Sequence, residues 1–396
     1  MSYACPVCAS ENTQIGEQRS AVPILMNKLY GSRAEARSAV LGELEIVFCQ
    51  DCGFTWNARF DPARIAYDES YENDQTHSQA FQAHIEARVA DVVAAAPAGA
   101  GLNFLEIGCG QGGFIGEVAR RAGAHLSSAE GFDPAWRGAN ASGPAGSRIH
   151  KMYFDEASAR RLVHPPNVVV TRHTIEHIPQ PVGFLSNIRR ALGDASRARL
   201  FVETPSVAWI LRHEAIQDFF YEHCTLFTTP ALAYALRRAG FRVLRVDHVF
   251  DGQYLWAEAE AADEAVGSPP KTAGIGSLAG ARDRFVSRWR ASVRNASSKG
   301  PVAIWGAGAK GVSFATLIDP DGTLIDHAID INPAKQNRWL AGSGVQVLSP
   351  ESAAQRAPRS IFLMNPIYHR EVHARAVQAG LMADIIPLNK SEPNEN

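Results

Sequence analysis

The decapeptide "FFYEHCTLFT", residues 219–228, sets Tyr221, Glu222, His223 and Cys224 side by side in a stretch with few other charges. An imidazole with an ordinary pKa of about 6.5 is substantially neutral near pH 7 and can accept a proton; a neighbouring carboxylate can steady the cation that results. The same polar residues could instead cap the helix expected near Thr229-Pro230 and fill a core. A second stretch, "NVVVTRHTIEHI", puts His173, Glu176 and His177 at or beyond the end of a strand, where catalysis and simple loop packing are both open readings. Cys224 reads as a small buried filler.

Four further cysteines form two knuckles, Cys5-x-x-Cys8 and Cys49-x-x-Cys52. Each knuckle points two thiolates at one centre, and two knuckles complete a tetrahedral sulfur site for zinc with no position left for a catalytic water. Redox pairs or free thiols are the alternative, against which stands the absence of a thioredoxin-like strand before either knuckle. The long intervening loop must carry structure of its own.

Elements that could position these groups follow from two glycine-rich turns. "LNFLEIGCGQGGFIGEVARRAG" predicts a buried strand over 102–107, a turn at Gly108, Gly110 and Gly112, and a helix from about Gly113. Glycines here allow a tight turn and let a ligand lie against the backbone. Asp133 ends the next expected strand, where a carboxylate can accept both hydroxyls of a ribose. Gly108, Gly110 and Gly113 also satisfy the dinucleotide pattern G-x-G-x-x-G, but Glu106 favours a cationic ligand such as S-adenosylmethionine over an anionic pyrophosphate. A turn kept only for strand and helix packing remains the plain alternative. "PVAIWGAGAKGVSFATLI" repeats the pattern with Gly306, Gly308 and Gly311, and Asp330 ends the strand after it. Amides at that helix start, with Lys310, could hold a phosphate; a fold kept without a ligand is the other reading.

The 396 residues, 46% hydrophobic, suggest two or three globular domains. A net charge of -2 without basic stripes, apolar spans or a secretory leader points to a cytoplasmic protein with small-molecule partners, excluding nucleic acid and membrane as partners. The fold class expected is α/β, with two Rossmann-like units behind a zinc-binding segment. Domains are expected at 1–65 (zinc-binding), 66–256 (donor-binding) and 281–390 (Rossmann-like). The small, acidic 257–280 reads as a linker, and "SEPNEN" as a disordered tail. The basic, periodic 281–297 reads as a surface helix against the last domain.

Through Glu106-x-Gly108-Cys109-Gly110-Gln111-Gly112 and Asp133 the middle region resembles the class I S-adenosylmethionine-dependent methyltransferases. With the knuckles, the Glu222-His223 pair and "DINPAKQNRWLAGSGVQV", the whole chain resembles the three-domain C-methyltransferases that act on nucleotide-linked keto-sugars. That resemblance implies structural zinc, and donor binding by Glu106, Gly108, Gly110, Gly112 and Asp133. It also implies Phe154 and Asp155 near the adenine, and lid-like contacts from 67–78 through Tyr71 and Ser78. His223 would be the base for enolate formation and Glu222 its partner or a substrate ligand, with His177 and Tyr221 as candidate donors to the enolate oxygen. Gly306, Gly308 and Lys310 would contact a nucleotide-linked substrate. Two departures fall on the acceptor side: Phe220 and Tyr221 stand where the family has tyrosine then histidine, and "DGQYLW" replaces "GGSLR". O- or N-methylation of another metabolite, and an NAD-dependent oxidoreductase or nucleotide-binding module, are the competing readings.

Overall fold

The computed structural model describes residues 3–97, 99–193, 198–262, 266–271, 278 and 280–388. In chain order the strands are β1 (Thr13–Pro23), β2 (Leu41–Cys49), β3 (Thr55–Asn57), β4 (Leu102–Ile107), β5 (Leu126–Phe132), β6 (Arg148–His150), β7 (Val168–Arg172) and β8 (Arg199–Pro205). They continue with β9 (Thr225–Leu226), β10 (Phe241–Val249), β11 (Tyr254–Ala261), β12 (Val302–Trp305), β13 (His327–Ile329), β14 (Gln346–Leu348), β15 (Ser360–Leu363) and β16 (Asp384–Pro387). Three sheets result, ordered β1-β2-β3-β9, β10-β11-β8-β7-β4-β5-β6 and β14-β13-β12-β15-β16.

In the seven-stranded sheet β4 to β8 pair in parallel, while β11 runs antiparallel between β8 and β10. Parallel strands must be covered on both faces, and β4 and β7 accordingly read as near-continuous apolar runs. The strand order reverses at β4, between β5 and β7, and a crevice at the carboxyl ends of such strands is where ligands bind in open α/β sheets. This is the class I methyltransferase arrangement. The last sheet is wholly parallel, with its reversal at β12, the strand before the second glycine turn.

Strand β11 runs into the segment expected to be a linker. In "AEAEA" the alternation itself was the signal: Ala257, Ala259 and Ala261 are buried, while Glu258 and Glu260 point out to Arg199, Arg242 and Arg245. Small residues and acidic charge resembled linker composition, but period two with facing arginines makes a strand. Residues 263–265, 272–277 and 279 of that segment, and the tail 391–396, lie outside the described residues. The helix Ala281–Ser297 buries Phe285, Trp289, Val293 and Ala296, the apolar stripe expected of it.

The N-terminal sheet borrows its fourth strand from the decapeptide: Thr55 and Trp56 of β3 pair with Leu226 and Thr225 of β9. One apolar cluster joins Val22, Ile46 and Phe48 of that sheet to Phe219, Phe220 and Tyr221, and onward to Trp289, Phe314 and Phe362 of the last domain. The decapeptide is therefore wedged among all three parts of the molecule. Its last residue, Thr228, caps the following helix, Thr229–Arg238, with its own side chain, so Glu222 and His223 do not serve as that cap.

Candidate active site

At the β4 turn Gly108 has φ +75°, and a Cβ there would lie 1.9 Å from Thr174 Oγ1. Gly110 has φ +54° and nothing within 4 Å of a Cβ position, so its bare face looks onto open space. Asp133 receives the Gly110 amide at 2.8 Å and the Ala135 amide at 2.8 Å, which fixes the carboxylate beside the turn. Beneath them Glu106 is fully buried, its Oε2 lacks a hydrogen-bond partner, and burial, partly offset by Arg172, pushes its pKa up to about 8. A bare glycine face, a fixed aspartate and an unsatisfied buried carboxylate form a cradle that suits S-adenosylmethionine. Gly110→Ala is expected to leave the melting temperature within a few degrees of wild type, since an alanine in this conformation costs only about 1–2 kcal/mol. Donor affinity measured by calorimetry should fall at least about tenfold, because the methyl fills the space a ligand would use. Gly108→Ala, colliding with Thr174, should lower both.

A cavity of ≈ 640 Å³, a size suited to a small metabolite, is lined by residues of the N-terminal segment, the middle region and the last sheet's region. His173, Glu176, His177, Phe220 and His223 line one end, and Gly306, Gly308, Lys310 and Lys335 line another. Ring centroids of His177 and His223 are 4.9 Å apart at 89°. Burial, then the charge of His177, pushes the His223 pKa down to about 3, so the ring is neutral at pH 7.

Glu222 is completely buried and already engaged. It accepts from the Met26 amide at 2.8 Å, Tyr71 Oη at 2.9 Å and Tyr67 Oη at 3.3 Å. Tyr67 Oη also lies 2.7 Å from His177 Nδ1, so one phenol bridges Glu222 and His177. Tyr67 was not singled out in the sequence. It sits in an irregular stretch whose spacing carries no signal, and only the folded chain brings it over the 150-odd intervening residues.

Several expected contacts fall elsewhere. Tyr221 turns away from the cavity: its hydroxyl accepts from the Asp61 amide at 3.0 Å and donates to Arg59 O at 3.4 Å, inside the N-terminal domain. The chain bends at Tyr221 and Glu222, so Phe220 and His223 line the cavity while these two residues turn from it. Tyr221 is a structural tyrosine, not an oxyanion donor. Tyr71, expected at the donor, gives its hydroxyl to Glu222. Ser78 caps the helix Gln79–Ala94 and donates to Glu371 of the last domain at 2.8 Å. Asp155 caps the helix Glu156–Ala159 in a capping box with Ser158, which occupies its carboxylate locally. Phe154 packs edge-on to Phe132 at the end of β5. The 67–78 stretch nevertheless lies over the donor turn, tied down by Arg137 to Glu72 and, through Asn332 to Glu72, to the last domain.

In that domain Gly306 and Gly308 precede the helix Ala309–Ile318, and Asp330 accepts the Ala307 amide at 2.8 Å. Lys310 is not free for a phosphate: its Nζ pairs with Asp218 at 2.5 Å and reaches Gln253 at 3.3 Å. Gln253, from the "DGQYLW" stretch, is locked to Asn365 by two reciprocal amide bonds of 3.0 Å. The buried cation nearest the glycine turn is Lys335, whose Nζ is 3.5 Å from a Cβ position at Gly308 and 4.0 Å from Asp330. At the opposite end of the chain the four cysteines converge, with Cys5 and Cys52 sulfurs 3.7 Å apart and Cys8 and Cys49 sulfurs 3.5 Å apart. No described helix is long and apolar enough to cross a membrane.

Residues 81–246 match a family model described as a methyltransferase domain, and residues 282–381 one described as a C-methyltransferase C-terminal domain. The C-methyltransferase NovU of Streptomyces niveus is 24% identical over 398 aligned residues, covering 93% of this chain and 90% of that one. Solved structures similar to part of the chain include a magnesium protoporphyrin IX methyltransferase from Synechocystis PCC 6803 with bound S-adenosylhomocysteine, at 17% identity, 46% of this chain, 84% of that chain and TM-score 0.34. Another is an S-adenosylmethionine-dependent methyltransferase from Aquifex aeolicus, at 14% identity, 51% of this chain, 100% of that chain and TM-score 0.35. A methyltransferase core followed by a C-methyltransferase C-terminal domain settles the choice against a nicotinamide-dependent oxidoreductase: the chain is an S-adenosylmethionine-dependent methyltransferase of the C-methyltransferase type.

Proposed function

We propose that the protein methylates the carbon next to a carbonyl group of a nucleotide-linked keto-sugar or a related small metabolite, through an enolate. The observation that carries this reading is the cavity that runs from His223, a partly buried and neutral histidine, to the glycine turn of the last domain. Similarity to a named C-methyltransferase over nearly the full chain supports it.

Bound S-adenosylmethionine supplies an electrophilic methyl on a sulfonium, and its thioether product leaves without charge. Glu106, Gly108, Gly110, Gly112 and Asp133 hold it in this reading, with Phe154 beside the adenine. His223 accepts the proton from the carbon next to the carbonyl, and the electron pair of that C–H bond spreads onto the carbonyl oxygen. His177 donates to that oxygen from Nε2–H, which requires the Tyr67 hydroxyl to give its proton to His177 Nδ1 rather than to Glu222. The carbon then forms a C–C bond as the S–C bond breaks, and His223 passes its proton to solvent. Gly306, Gly308 and Lys335 take the nucleotide end; Lys310 contributes by holding Asp218 and Gln253 across the domain boundary.

We assign structural zinc to Cys5, Cys8, Cys49 and Cys52. Four thiolates at about 2.3 Å from a tetrahedral ion stand about 3.8 Å apart, and the observed sulfur separations of 3.5 and 3.7 Å fit that geometry.

The function is tested with a nucleoside-diphosphate keto-hexose in deuterium oxide. Deuterium should enter next to the carbonyl before methylation, and with donor present the new methyl should appear on that carbon by carbon-13 NMR. A methyl found on oxygen or nitrogen, without exchange, would move the protein to O- or N-methylation.

A further inference from the structure

Resting on the reading of His223 as base, a question remains about which carboxylate serves it. Glu222 is adjacent in sequence, but its oxygens are saturated by Met26, Tyr71 and Tyr67, and its nearest ring is His177, at 4.0 Å. Glu176 is in the opposite condition. It is fully buried, Oε2 accepts from Thr204 Oγ1 at 3.2 Å, and Oε1 has no hydrogen-bond partner. His223 Nδ1 is likewise buried and without a partner. A carboxylate oxygen of Glu176 and a ring nitrogen of each of His177 and His223 lie within 4.8 Å of one another. A buried polar atom left without a hydrogen bond costs about 1–3 kcal/mol; His223 Nδ1 has none, and Glu176 Oε1 has only an ion-pair contact to His173 Nδ1 at 3.4 Å, so each has capacity for a further bond.

We infer that Glu176 is the positioning residue for His223, accepting a hydrogen bond from Nδ1–H directly or through one water and so turning the Nε2 lone pair toward the cavity. This is the division of labour by which a buried carboxylate sets the tautomer of a catalytic imidazole and stabilises the imidazolium that forms. A base needs that help here, because burial leaves His223 neutral but weakly basic. Glu176 is kept ionised by a third group. His173 Nδ1 lies 3.4 Å from Glu176 Oε1, and His173 Nε2 lies 2.9 Å from Glu203 Oε1. Burial opposes charge on His173, yet the two carboxylates outweigh it and push its pKa up to about 9. His173 adopts φ +50°, a strained conformation for a residue with a side chain, which holds the ring between the two glutamates. His173–Glu176–His223 is thus a charge–carboxylate–base series, in which Glu222 takes no part.

The test needs no acceptor. Full-length protein labelled with nitrogen-15 histidine is examined at pH 7 by long-range proton–nitrogen correlation, with His223 assigned by His223→Gln. The wild-type ring should be the Nδ1–H tautomer. Glu176→Gln, whose amide can donate to Nδ1, should convert it to Nε2–H; Glu176→Asp and Glu222→Gln should leave it Nδ1–H. An Nε2–H ring in wild type, an unchanged ring in Glu176→Gln, or conversion by Glu222→Gln overturns the assignment. If the glutamine variant does not fold, the wild-type spectrum alone decides. A wrong acceptor class would leave these spectra unaltered, so failure of the proposed function and failure of this inference are read separately.

Discussion

Replacing His223 by alanine should abolish methyl transfer while leaving the affinity for S-adenosylmethionine nearly intact. The proposed donor cradle consists of Glu106, the β4 turn and Asp133, none of which bonds to His223, so in this proposal the truncation removes a proton acceptor and little else. Positioned acid–base groups contribute typically about 10²- to 10⁴-fold, and enolate formation from a carbon acid should sit at the upper end. Turnover of the keto-sugar and calorimetric titration of the donor, made on the same preparation, separate the two effects. Near-normal turnover would remove His223 from the base role and shift attention to the Tyr67, Tyr71 and Glu222 group. A matching drop in donor affinity would instead mean that the variant disturbs the wedge between domains.

The second large effect concerns the cysteines. Stripping the metal with a strong chelator, or Cys49→Ser, is expected to unfold the N-terminal sheet and to abolish activity with it. Structural zinc sites carry apparent free energies of about 10–16 kcal/mol, comparable to the whole stability of a domain, about 5–15 kcal/mol. Loss would not stay local. Strand β3 pairs with β9 of the decapeptide, and the Met26 amide holds Glu222, so the sheet that the cysteines pin also supports the acceptor end of the site. Metal content, thermal melting and turnover should fall together on chelation and recover together on adding zinc. A metal-free protein with unchanged melting and full activity would refute the assignment.

Residue type and spacing by themselves determined a good deal. The knuckles, the two glycine turns, Asp133 and the alternation of apolar strands with helices are local patterns, because a thiolate pair, a tight turn or a strand is specified within a few residues. The family resemblance rests on those same marks. What lies between 257 and 261 was equally present as an alternation, but composition outweighed period in reading it. Tertiary structure alone decided which side chains meet. That His223 lines the cavity while Tyr221 bonds into the N-terminal domain goes with the pairing of β9 and β3, a long-range register that no neighbouring residue announces. Tyr67 reaches His177, Lys310 is taken by Asp218, and Glu176 rather than Glu222 keeps an oxygen without a hydrogen bond, through packing of elements far apart in the chain. Side-chain chemistry is written in the sequence; the partner each group finds is set when distant segments bury one another, since a buried polar atom bonds to whatever the fold brings within about 3 Å.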